Sequence, residues 1–100
     1  MNALFQSVTA LFEPLPNARI LGNPQLYGLL QSAYDNAATG AVIQAKKITF
    51  VENLTMDTSK DVTLDGGFDP DFLAQNGYTI LQGILSVDQG SIVLEHLIIE

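Results

Sequence analysis

Asp65, Asp69 and Asp71 crowd around a Gly66-Gly67 pair and Pro70. Three hard oxygen donors so close together are the residue types that hold Ca²⁺, which takes six to eight oxygens. The spacing is neither that of an EF-hand nor that of a glycine-rich nonapeptide repeat. A solvated acidic turn, with Asp side chains bonding to nearby backbone, is therefore the plainer reading. Phe68 and Tyr78 flank the same stretch and have the flat apolar faces that stack on sugars. Phe68 also reads as an anchor that tucks beneath the 68–76 loop. Tyr27 and Tyr34 read as packing groups on a helix.

His96 sits in an apolar run and alternates with Leu94 and Ile98. With no second His or any Cys beside it, it reads as a structural histidine rather than a metal ligand. No phosphate-cradling glycine loop, nucleophile elbow or metal-binding helix motif occurs. These residues make no catalytic constellation.

The surrounding composition narrows the possibilities. The chain has 100 residues, 47% of them hydrophobic and 15% charged, which suits one folded domain. Four basic against eleven acidic residues give a formal charge of −7. Arg19, Lys46, Lys47 and Lys60 cannot make the basic stripe that neutralises several phosphates, so nucleic-acid binding is not expected. No cysteine is present, which removes disulfides and thiolate metal sites. No run approaches the roughly 20 apolar residues of a membrane span. The start shows no basic region leading into an apolar one, as an export signal would.

The elements that would position these residues fall into two regimes. Residues 3–12 suit a strand or a short helix. Pro14 and Pro16 make 13–17 an extended linker, and 18–21 reads as a short strand closed by Gly22. Asn23 then suits an N-cap and Pro24 a first helical position. Leu26, Leu29, Leu30, Ala33 and Ala37 recur at three- and four-residue steps, and Gly40 suits a helix stop, so a helix is predicted over 24–38. After Gly40 the period becomes two. Strands are predicted at 42–45, 48–56, 62–64, 78–81, 84–87 and 91–99, with turns at 65–67, 75–77 and 88–90.

Periodicity leaves an antiparallel sandwich and a stacked solenoid both open. Several segments carry a resemblance that favours the second. Leu30-Gln-Ser-Ala-Tyr-Asp-Asn-Ala-Ala-Thr-Gly-Ala-Val-Ile-Gln-Ala resembles the helix-to-first-coil entry of pectin-lyase-like right-handed β-helix proteins. Phe50-Val-Glu-Asn-Leu-Thr-Met, Asp61-Val-Thr-Leu-Asp-Gly-Gly-Phe-Asp and Gly77-Tyr-Thr-Ile-Leu-Gln-Gly are similar to coils in bacterial surface or exported members of that group, as are Ile84-Leu-Ser-Val and Ser91-Ile-Val-Leu-Glu-His-Leu-Ile-Ile. The resemblance spans about residues 18–100.

That resemblance implies a mainly β fold: a right-handed parallel β-helix of about two to three coils under an N-terminal amphipathic capping helix. It divides one domain into an N-terminal strand and linker (1–22), a capping helix (23–40) and coils (41–100). It further implies an extracellular or cell-surface setting and a non-enzymatic structural or adhesive role. A carbohydrate-binding or polysaccharide-degrading module is the alternative. Against an enzyme, Asp57, Asp61 and Asp65 have no Arg or Lys convincingly beside them. No cofactor is expected beyond the Ca²⁺ considered above. The segment 91–100, which starts at Ser91 and ends at Glu100, is strongly apolar with no polar cap. It is expected to continue into further coils or to bury itself against another copy.

Overall fold

The computed structural model describes residues 16–100. Residues 3–12 and most of the 13–17 linker lie outside the described residues. Among the described residues ten strands and one helix follow in chain order: β1 (Ala18–Ile20), β2 (Leu26–Tyr27), α1 (Leu30–Asn36), β3 (Val42–Lys46), β4 (Thr49–Val51), β5 (Leu54–Met56), β6 (Asp61–Phe68), β7 (Thr79–Gln82), β8 (Leu85–Val87), β9 (Ser91–Glu95) and β10 (Leu97–Ile99).

They form three sheets. A five-stranded sheet runs β2-β1-β3-β6-β9, a three-stranded one β10-β7-β4, and a two-stranded one β5-β8. The first is mixed, because β1 pairs antiparallel with both β2 and β3. The pairs β3–β6, β6–β9, β4–β7, β7–β10 and β5–β8 are all parallel.

This corrects the expected helix-capped, right-handed parallel β-helix. Among the described residues the chain is mainly β with one short helix, and its mixed and parallel sheets do not close. The paired strands show no constant repeat. Val42 pairs with Thr63, an offset of 63 − 42 = 21, and Thr49 with Ile80, an offset of 80 − 49 = 31. Thr79 pairs with Leu97, an offset of 97 − 79 = 18. The free edge of β3 is covered by an antiparallel strand, β1, rather than by a helix.

The helix itself is seven residues long instead of spanning 24–38. Asn23 does accept a bond from a following backbone N–H, that of Gln25 at 2.9 Å, but this closes a local turn. Leu26 and Tyr27 are then drawn into a strand beside β1. Leu29, at φ −122° and ψ 147°, takes the N-cap position and has no capping side chain. Tyr27 therefore belongs to β2, and only Tyr34 packs from the helix.

Three predicted strand boundaries also move. The 48–56 run bends at Glu52 and Asn53 into β4 and β5. The 91–99 run breaks at His96, whose φ is +55°. The Asp65-Gly66-Gly67 turn is instead part of β6, where the register against β3 slips between Gln44 and Lys46. This is a bulge, and its chemistry explains the two glycines. A Cβ on Gly66 would stand 2.5 Å from Thr79 Oγ1, and Gly67 has φ +81° with the Gly77 carbonyl in the space a Cβ would need. Buried Thr79 pins the irregularity. Its hydroxyl accepts from the Gly67 N–H at 2.9 Å and donates to the Lys46 carbonyl at 2.6 Å.

The core is built from rows of side chains that continue across paired strands. Ile20, Ile43 and Leu64 form one such row, with Leu94 next in register. Phe50, Leu81 and Ile99 form another, and Met56 leads to Val87. Helix α1 adds Leu30, Ala33 and Tyr34 to the same buried cluster.

Candidate functional site

Two places merit consideration: the acidic loop singled out by its residue types, and the end of the core formed by β8, β9 and β10.

Alternation along the five-stranded sheet sends one set of side chains inward and the other outward. The outward set aligns Arg19, Gln44, Asp65 and Glu95 in register across β1, β3, β6 and β9. Arg19 Nε donates to Gln44 Oε1 at 2.7 Å. Residues 69–76 fold beside this row. Phe72, at φ +61°, lies under the Arg19 guanidinium, 4.4 Å from ring centroid to Cζ, and near Lys46 Nζ at 5.6 Å. Each of these approaches falls within the range where a cation is attracted to an aromatic face.

The loop uses its three aspartates separately. Asp65 Oδ1 accepts from the Gln75 amide and lies 3.3 Å from His96 Nδ1. Asp69 pairs with Lys47 Nζ at 3.0 Å, and Lys47 also donates to Asn76 Oδ1 at 2.8 Å. Asp71 Oδ1 accepts from the Leu73 N–H at 3.0 Å, a turn-closing bond. The structure thus points the three carboxylates at different partners. Among the described residues no group of three His, Cys, Asp or Glu is placed to hold a metal.

The two aromatic candidates also separate. Phe68 is 8% exposed and packs against Phe72, ring centroids 6.1 Å apart, so its faces are not offered to a ligand. Tyr78 is 60% exposed and stands 6.2 Å from the His96 ring. Tyr78, His96 and Asp65 therefore make one small surface group, which the residue types alone did not assemble. Of the carboxylates considered for catalysis, Asp61 accepts from Ser91 Oγ at 2.9 Å and Asp57 is exposed beside Thr58. They lie on different elements.

The second place is defined by what the inward rows do at their two ends. At the β3–β4–β5 side, Ile43, Phe50, Leu54 and Met56 are buried in one cluster with Ala18 and Ile20 of β1 and Leu30, Ala33 and Tyr34 of α1. At the other side the same rows end on Leu94, Val87 and Ile99, which are 38%, 42% and 43% exposed. Leu85, Ile92 and Leu97 are half-buried and pack against the core from this side. Here the structure leaves apolar side chains partly exposed at the outer edges of β8, β9 and β10; among the described residues β2, β4 and β5 are the edge strands on the other side of the same sheets. An unpaired edge with an apolar row behind it is a template for adding another chain.

The helix over the covered end is held by charges the sequence reading did not single out. The Glu52 carboxylate accepts from the Leu30 and Gln31 N–H groups at 2.8 and 3.2 Å, replacing the missing N-cap. Lys60 Nζ donates to the Tyr34 and Ala37 carbonyls at 2.6 and 2.7 Å and lies 4.4 Å from the Tyr34 ring centroid. Negative charge at the helix start and positive charge at its end each match the helix dipole. The two residues flank β5, more than twenty residues from the helix groups they bond, so no local capping signal reveals them.

No family model, no curated protein and no solved structure matches this chain. The resemblance to pectin-lyase-like proteins thus stands on the quoted residues alone, and the fold that it implied is corrected above.

Proposed function

We propose that this chain is a non-enzymatic structural module whose working surface is the β8–β9–β10 end, and that a second copy of the chain occupies it. The observation that carries this reading is the contrast along single core rows, from Ile43 and Leu64, buried, to Leu94, exposed. Leaving such a row in water forgoes about 25 cal/mol for each Å² of apolar surface that association would bury. The edges behind it add unmade backbone hydrogen bonds. Extracellular or surface use as a scaffold or adhesive fits this reading.

Sedimentation velocity over a range of concentrations tests it. The expected result is a reversible dimer in the wild type and a folded monomer in Leu94→Asp. A wild type that stays monomeric up to its solubility limit would overturn the proposal.

A second reading draws on the exposed Tyr78 ring beside the His96–Asp65 pair, an aromatic face with polar groups at its edge that suits a sugar ring. Binding to a glycan array, lost in Tyr78→Ala while dimerisation persists, would favour that reading.

A further inference from the structure

We infer that Asn76 is a site of spontaneous covalent modification, at which the folded chain loses the side-chain amide through a cyclic imide formed with the Gly77 nitrogen, assisted by the Lys47 ammonium. Of the asparagines in the sequence, Asn76 alone precedes a glycine. The attacking atom is the backbone nitrogen of the following residue. Glycine puts no Cβ beside that nitrogen and turns most freely toward the Asn carbonyl carbon. The reaction balances with water as its only co-reactant. The Gly77 nitrogen passes its proton to solvent and bonds to Asn76 Cγ, the Cγ–Nδ2 bond breaks, and Nδ2 leaves as ammonia. Water then adds to either imide carbonyl and opens the ring, leaving aspartate or isoaspartate at position 76.

The fold supplies what the dipeptide alone lacks. Asn76 is exposed among the described residues. Lys47 Nζ donates to its Oδ1 at 2.8 Å. That ammonium polarises the amide carbonyl and faces the oxygen on which negative charge builds as Gly77 attacks. Asp69 holds Lys47 in place at 3.0 Å, and the lysine stem runs beside Gly77, where an added Cβ would stand 3.0 Å from Lys47 Cδ. The Gly77 N–H shares the Gly67 carbonyl with the Asn76 N–H and makes the longer bond of the two, 3.2 Å against 3.0 Å, so it is the more easily released.

The Asp65-Gly66 pair is the contrasting case. Asp65 is fixed in the β6 ladder opposite Glu95, Gly66 is buried, and an ionised carboxylate is a poor electrophile. Conversion at 76 should also loosen the bulge. Isoaspartate inserts a methylene into the backbone between the two N–H groups that share the Gly67 carbonyl, and either product sets a second carboxylate beside Lys47 and Asp69.

Incubation of the full chain at mildly alkaline pH, followed by peptide mapping with isoaspartate detection, tests the site. The wild type is expected to gain one acidic form, mapped to position 76, while Asp65 stays unchanged. In Gly77→Ala, whose Cβ meets only a flexible lysine stem, conversion should fall to the background of the other asparagines. Folded Lys47→Met should convert about tenfold more slowly, the loss of one charge-assisted hydrogen bond to the developing oxyanion. In urea the wild type and Lys47→Met should convert at one rate, because the contact needs the fold. Conversion mapped elsewhere, or none at 76, would overturn the site. An unchanged or faster rate in folded Lys47→Met, or a difference that persists in urea, would overturn the role of Lys47.

Discussion

The two ends of the core are made of the same kind of side chain and differ only in what lies over them. At one end Ile43, Phe50, Leu54 and Met56 are buried in one cluster with Ala18 and Ile20 of β1 and Leu30, Ala33 and Tyr34 of α1; at the other Leu94, Val87 and Ile99 continue the same rows into solvent. Hydrophobicity along the sequence does not separate the two. The difference lies in chain order: strands β1 and β2 and helix α1 precede the parallel strands and fold back over their first level. Nothing among the described residues does so for the last. Similar apolar content thus serves stability at one end and, in the reading proposed above, recognition at the other.

Matched substitutions should break that comparison most sharply. Leu30 is 1% exposed, so Leu30→Asp buries an unpaired carboxylate and should leave no cooperative melting transition by circular dichroism. Leu30→Ala is the milder form and should cost about 2 to 5 kcal/mol in denaturant titration. Leu29 is 40% exposed despite standing next to it, and its replacement by Asp should be tolerated.

Between the two ends, the β6 bulge should show the next largest effect. Gly67→Ala would press a Cβ on the Gly77 carbonyl at an unfavourable positive φ, costing about 2 to 3 kcal/mol. Thr79→Val leaves the Gly67 N–H and the Lys46 carbonyl without their hydroxyl partner, at about 1 to 3 kcal/mol. Urea midpoints for the two variants check both values.

Lys60→Met keeps most of the side-chain stem but removes the charge at the end of α1. The expected loss is about 1 kcal/mol, seen as a small fall in melting temperature. Smallest of all should be the effect of Leu94→Asp on the stability of the single copy. A change within roughly 0.5 kcal/mol is expected, because the site is on the surface of the monomer, while dimerisation is lost. A large loss of stability from Leu94→Asp would mean that the open end is covered within one chain.

The strands after Gly40 were legible because a period of two is imposed by the backbone whatever the strand pairs with. The helix was legible only in part. Asn23, Pro24 and Gly40 look like helix punctuation, and the spacing of Leu26, Leu29 and Leu30 fits both a helix stripe and a strand leading into a shorter helix. Pairing of Leu26 and Tyr27 with β1 decided between them. The aspartate cluster was visible as a cluster, but whether carboxylates converge depends on where Lys47, Gln75 and His96 arrive. Those residues come from other elements. The fold class was not legible for a related reason. Local resemblance to coils carries no information on whether offsets between paired strands stay constant.

What the sequence by itself determined is a cysteine-free, acidic, mainly β domain with an apolar last segment and no catalytic constellation of recognisable spacing. These follow from composition and from periods of two to four residues, which act over short range. Only the tertiary structure decided that β1 pairs antiparallel with β3, that Glu52 and Lys60 cap a helix distant in sequence, and that Gly66-Gly67 is a bulge pinned by Thr79. It also decided which end of the core is covered. Each of these depends on strand pairing between residues far apart in the chain, where the free energy comes from the partner as much as from the residue itself.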